Sequence, residues 1–163
     1  MGKGKADLGK RLIAALIDTV IAAVVSSIIP FRGIGSLIGG AYILVKDAIM
    51  FELLKDPAWK NQSIGKRVMR LEVVGPGGSD VDIQLSARRN WPLAIGQLLS
   101  FVISLLSYRA LAWSSWSLLT GVTTIIGIIE IALVFTDPEG KRLGDRLADT
   151  RVRELAEEVP SAG

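Results

Sequence analysis

The chain has 163 residues, half of them hydrophobic, with a mean hydropathy of +0.43 and a formal net charge of +3. It contains no cysteine and no histidine, which excludes disulfides, thiolate and imidazole catalysis, and the usual zinc and haem sites. No basic patch is interleaved with aromatics in the way that grips single-stranded nucleic acid, so neither a nucleic-acid partner nor a cofactor is expected.

The apolar residues gather into runs that approach the roughly 20 helical residues needed to cross a bilayer core. The first is Leu12 to Ile29, interrupted by Asp18 and closed by Pro30. No small-residue cleavage site follows it, so it reads as a retained helix rather than a signal peptide. After a short turn (Phe31 to Ser36) the second run spans Ile34 to Leu54 and carries Lys46, Asp47 and Glu52, so it cannot face lipid all round. Its Gly39 and Gly40 suit close helix packing. Glu52, near the run's end, is expected to reach the headgroups.

From Lys55 to Asn90 the chain is polar. Ile64, Val68 and Leu71 share one face of a predicted basic amphipathic helix at the membrane surface, with Lys66, Arg67 and Arg70 on the others. Leu71 to Leu85 reads as a β-hairpin, a strand, a Gly/Pro turn and a second alternating strand with Val81, Ile83 and Leu85 on one side. The third run is Trp91 to Ser107 and the fourth Trp113 to Phe135, interrupted by Glu130. Trp91, Trp113 and Trp116 stand at run ends, where indole favours the interface, and Arg109 reads as a snorkelling anchor. Asp137 to Leu155 is again basic and amphipathic, and residues 156–163 read as a flexible tail.

The fold expected is thus an all-α membrane protein of four transmembrane helices with cytoplasmic amphipathic helices and a small β-hairpin. Lys and Arg cluster before the first run, between the second and third, and after the fourth, which puts both termini and the central loop in the cytoplasm. Ser63 to Val74 resembles Arg142 to Arg153 at an offset of 79 residues. The same offset lays the first run on the third and the second on the fourth, and Asp18 on Gln97. The chain therefore reads as one domain (1–163) of two parallel two-helix repeats, about 10–75 and 89–155, with the hairpin loop at 71–88.

Counted from the inner ends of the runs, Asp18, Gln97 and Glu130 lie roughly 10 Å deep and Asp47 roughly 13 Å, with Lys46 in the same layer. Charges at such depth are costly and mark either function or pairing. Three carboxylates against Lys46 alone leave an excess of negative charge that would attract a cation or a proton. The competing reading is a satisfied network that fixes helix register, with Lys46 paired to Asp18 or Glu130.

Four motifs in order resemble the RDD family of small prokaryotic membrane proteins. KRLIAALID (Lys10 to Asp18) gives the arginine and first aspartate, Arg11 and Asp18. QSIGKRVMRLEVV resembles the family's loop motif, with Gly65, Lys66 and Arg67. Arg89 and Asn90 match its Arg-Asn pair, and KRLGDRLADTRV resembles the closing motif, with Gly144, Arg146 and the second aspartate, Asp145. Lys46, Asp47 and Glu130 lie outside that signature. The resemblance implies a multi-pass protein of the prokaryotic inner membrane for which transport, including cation/proton antiport, is the usual suggestion. A pair between Arg11 and Asp145 would clamp the C-terminal surface helix to the first span, or gate it if a carboxylate takes a proton.

Two functions remain open on the sequence. One is a carrier of Na+, K+ or protons working as a homodimer in the lipid bilayer, with Asp18, Lys46, Asp47, Gln97 and Glu130 as the ion site. The other is a non-transporting accessory or scaffold subunit of a membrane complex. An intramembrane aspartate protease is disfavoured because the G-x-G-D pattern is absent, and no enzymatic activity is expected.

Overall fold

A computed structural model describes residues 6–28, 33–106 and 112–155. Pro30, Arg32, Arg109 and the tail 156–163 lie outside the described residues, as do the side chains of Trp113 and Trp116. The described chain is mostly helical with one small antiparallel sheet. In order it forms α1 (Leu8–Ile28), α2 (Ile34–Val45), α3 (Ile49–Leu54), α4 (Ile64–Val68), β1 (Leu71–Val74), α5 (Ile83–Leu106), α6 (Ala112–Thr136), α7 (Leu143–Leu147) and β2 (Arg151–Glu154).

α1 buries a stripe at helical spacing, Ala14, Asp18 and Ala22, and exposes Leu12, Ile13, Leu16, Val20, Val24 and Ile28. The small residues of the stripe let α2 approach closely. A Cβ on Gly39 would collide with Ser26, and one on Gly40 would press on Gln97 and Leu98 of α5. α2 therefore packs between α1 and α5, and α6 packs on α5. The outward faces are apolar and the interior is rich in charge: Asp18, Lys46, Asp47, Lys66, Arg89, Asn90, Glu130 and Asp145 are all buried. That is the reverse of a water-soluble core. α1 is long and apolar enough to cross a membrane, while the apolar part of α2 is 12 residues long.

The second run is not one helix. It breaks at Lys46, Asp47 and Ala48, between α2 and α3. Ser86 of α5 serves the broken backbone: its hydroxyl donates to the Leu44 carbonyl at 2.8 Å and accepts from the Asp47 N–H at 3.3 Å. The break lets two neighbouring side chains both turn inward.

The expected hairpin is absent. β1 pairs with β2, not with the segment after the turn, in the register Leu71–Glu154, Val73–Val152 and Val74–Arg151. Residues Ile83 to Leu85 open α5 instead. The Asp82 carboxylate accepts from the Leu85 N–H at 2.7 Å, which is N-cap chemistry, and so three alternating apolar residues are too few to outweigh a helix start. As a result α5 begins eight residues before the expected Trp91, and Arg88, Arg89 and Asn90 lie on the helix rather than in a loop.

The amphipathic expectation for α4 is also turned round. Gly65 and Lys66 are the buried face, while Val68 is exposed; in α7 Gly144 and Asp145 are buried and Leu147 exposed. Close approach of backbone decides this. A Cβ on Gly65 would collide with the Ala14 carbonyl of α1, and one on Gly144 with the Arg89 carbonyl of α5.

Candidate functional site: a buried charge network

The short helices α4 and α7 each deliver one ionisable group, Lys66 and Asp145, into the interior. The Ser63 hydroxyl caps α4, accepting from the Lys66 N–H, and also donates to Asp18 Oδ2 at 2.7 Å. Asp18 further accepts from the Gly65 N–H at 2.9 Å and from Lys46 Nζ at 3.0 Å. Its two oxygens are thus held by a hydroxyl, an amide and an ammonium, as a buried carboxylate requires.

Asp47 is fully buried and takes Lys66 Nζ at 2.6 Å, the Asn90 amide at 2.9 Å and Arg89 Nη1 at 3.2 Å. Burial pushes the Lys66 ammonium down to about 8, with Lys46 and Arg89 acting the same way against the attraction of Asp47 and Asp18.

Asp145 is the hub of the other half. Arg89 Nη2 lies 2.5 Å from its Oδ1, Arg11 3.2 Å from its Oδ2, and Arg142 Nε 3.5 Å from its Oδ1. Arg11 also donates to the Gly140 carbonyl. Burial alone would raise the Asp145 carboxyl, but Arg89, Arg142 and Arg11 hold it down at about 2. Arg142 Nη2 donates to the side-chain Oδ1 of Asn90 at 2.5 Å, and its Nε stands 3.9 Å from Glu130 Oε2. Glu130 Oε1 accepts a long bond, 3.4 Å, from the Gly144 N–H, whereas its buried Oε2 has no hydrogen-bond partner.

Five cations (Lys46, Lys66, Arg11, Arg89, Arg142) therefore meet four carboxylates (Asp18, Asp47, Glu130, Asp145) in one connected array. The acid excess expected from the sequence is not what the fold assembles. That expectation counted residues inside apolar runs and left Lys66 and Arg142 on surface-lying amphipathic segments and Arg89 in the loop before the third run; the α5 start and the buried faces of α4 and α7 bring all three inside. Lys46 pairs with Asp18 and not with Glu130. Gln97 stands apart, on the wall of a separate cavity with Asp18, Lys46, Ser100 and Thr123. Two other motif residues stay at the surface: Arg67 stacks on Trp59, 4.6 Å from the ring centre, and Arg146 pairs with Asp137 at 2.8 Å. Glu52 pairs with Lys55 at 2.6 Å.

Sequence reasoning did not single out Ser63, Ser86 or Arg142 as site residues. Ser63 is legible as an N-cap and Arg142 as part of the closing motif. Nothing local marks Ser86, whose role comes from the break in a distant helix. No group of histidine, cysteine or carboxylate side chains suited to a metal occurs among the described residues.

A cavity of about 270 Å³ opens against this array, between α1 and α6. Arg11, Asp18, Lys46, Lys66, Arg89, Glu130 and Arg142 form its polar end, and Leu12, Ala15, Ile131, Val134 and Phe135 its apolar wall.

The residues joined here, Arg11, Asp18, Asp145 and the Arg89–Asn90 pair, define a mostly helical protein built on a buried arginine–aspartate array. The chain belongs to the RDD family, which it matches over residues 5–149. Neither the curated proteins nor the solved structures give a match.

Proposed function

We propose that the chain is a four-span carrier that exchanges a small cation, Na+ or K+, for a proton, with Glu130 as the exchanging group. The observation that carries this is the buried Glu130 Oε2, which has no hydrogen-bond partner and stands on a cavity wall shared with Asp18. A carboxylate oxygen in that position is satisfied by a proton or by a bound cation, and the two compete. Asp18, Asp47 and Asp145 already have close cationic partners, which leaves Glu130 the group able to change state.

Four spans in two parallel repeats, with both termini cytoplasmic, are supported by the distribution of Lys and Arg and by the apolar outward faces of α1 and α6. The paired short elements support the repeat. α4 and α7 have five residues each, are followed by left-handed Arg70 and Asp149, and lead into strands that pair with one another. The approach points on the long helices, Ala14 and Arg89, are 75 residues apart where the glycines are 79 apart, so the second long helix is slid by about one turn. Four helices make a thin wall for a pathway, and the carrier is proposed to work as a homodimer.

The test is flux in proteoliposomes across Na+, K+ and proton gradients. Protein-dependent exchange that vanishes in Glu130→Gln is expected; flux equal to that of empty vesicles overturns the reading. The accessory-subunit reading is favoured by the close pairing of the three aspartates, which suits a static clamp. Recovery of the chain in a stoichiometric membrane complex, with no flux of its own, would select it.

A further inference from the structure

Three guanidiniums converge on one carboxylate at the polar end of the α1–α6 cavity. Arg11, Arg89 and Arg142 all contact Asp145, and all three line the cavity. A guanidinium offers five N–H donors, and a carboxylate about four acceptor sites, so Asp145 cannot satisfy the three. The surplus is visible: Arg89 is 1 % exposed, yet its Nε and Nη1 have no hydrogen-bond partner, Nη1 standing near Asp47 as an ion pair alone. The array as a whole also holds one more cation than carboxylates, even with Glu130 ionised. A buried positive excess with unspent donors calls for an anion with several oxygens, and planar guanidiniums match phosphate best.

The rest of the cavity says what carries that phosphate. Its other wall is aliphatic and aromatic, Leu12, Ile131, Val134 and Phe135, and three of these are half-exposed on the apolar outside of α1 and α6: Leu12 46 %, Ile131 52 % and Phe135 53 %. A hydrophilic phosphate compound gains nothing from such a wall. A lipid puts its headgroup phosphate at the charged end and an acyl chain along the apolar rim, where the chain stays in the hydrocarbon it came from.

We propose that the cleft between α1 and α6 binds one anionic phospholipid, its phosphate received by Arg11, Arg89 and Arg142 and its acyl chain lying along Leu12, Ile131, Val134 and Phe135. The site requires no flux and stands beside the carrier reading rather than on it.

The experiment is native mass spectrometry of the full-length protein in detergent, offered phosphatidylglycerol and phosphatidylcholine of identical chains in equal amounts. One phosphatidylglycerol per chain is expected, preferred by about tenfold, because both lipids offer the phosphate but phosphatidylcholine adds a cation beside the surplus guanidinium charge. Arg142→Gln is expected to remove that preference. Ile131→Trp fills the apolar rim, leaves every charge in place, and is expected to lower retention of both lipids. A melting midpoint close to wild type shows that each variant is folded. Equal retention of the two lipids by wild type overturns the proposal, as does wild-type retention by Ile131→Trp, which decides the matter alone if Arg142→Gln does not fold. Displacement of the lipid by millimolar inorganic phosphate also overturns it, since the site would then take the free anion. Selective lipid retention without flux removes only the carrier reading, and flux without lipid selection removes only this one.

Discussion

Val73 faces Val152 across the antiparallel β1–β2 pair, and both side chains are buried. The two strands follow α4 and α7, so this ladder ties the ends of the two short-helix segments together, beside the larger packing of α2 on α5. Val152 belongs to a small apolar cluster with Ala6, Ala14 and Leu71, the junction of strand, N-terminus and α1. Val73→Ala is therefore expected to lower stability by about 2 kcal/mol, through lost burial plus the cavity left behind. Reversible unfolding in mixed micelles measures it. Val68→Ala, at an exposed position of α4, is the control expected to change little.

Arg11 and Asp145 form a pair that a charge swap cannot rebuild. Asp145→Asn is expected to destabilise by about 3 to 5 kcal/mol, because it leaves buried guanidiniums without their carboxylate. In the double variant Arg11→Asp/Asp145→Arg the new arginine faces Arg89 and Arg142, which Asp145 also holds. Unfolding of the two single variants and the double is expected to show no recovery. Restoration to near wild-type stability would mean that the Arg11 contact acts as an isolated pair.

How far the sequence foretells this site depends on which forces are local. The apolar runs, the interior charges Asp18, Lys46, Asp47 and Glu130, and the Arg11–Asp145 contact all follow from spacing, burial cost or motif. Lys66 and Arg89 are legible as motif residues but read as surface-facing. Their direction is set by Gly65 and Gly144, which let two backbones touch, and by the Asp82 cap, which moves the start of α5. The partner of β1 lies some 80 residues away, and a Gly/Pro turn between two short alternating segments gives the nearer partner the stronger local signal. The break at Lys46–Asp47 has no glycine or proline to announce it, since its backbone is satisfied by Ser86 from another helix.

Glycines separate by what lies opposite them. Gly144→Ala drives a methyl into the Arg89 carbonyl and Gly65→Ala into the Ala14 carbonyl, so α7 or α4 must lift away and take Asp145 or Lys66 with it. Each is expected to cost about 2 kcal/mol or more. Gly121→Ala on α6 meets open space and gains helix propensity, up to about 1 kcal/mol. Melting midpoints of the three single variants in detergent check the order: Gly121→Ala at or above wild type, the other two well below. A tolerated Gly144→Ala would mean that α7 does not rest on α5.

The pH dependence of stability follows from Asp145. Its carboxyl is held at about 2 in the folded protein against an ordinary 3.8, because three guanidiniums favour the charged form more than burial opposes it. A depressed carboxylate contributes stability that is fully present above its unfolded value and is lost as pH falls through the folded one. The expected loss is therefore about 2 kcal/mol between pH 4 and pH 2, since a tenfold change in proton affinity is worth about 1.4 kcal/mol. Asp145→Asn cannot titrate, so the difference between wild type and that variant should shrink over this window. The comparison is made by unfolding at matched ionic strength, since salt weakens the exposed pairs Lys10–Glu154 and Arg146–Asp137 far more than the buried array. A difference that stays constant from pH 5 to pH 2 would show that the guanidiniums do not hold Asp145 charged.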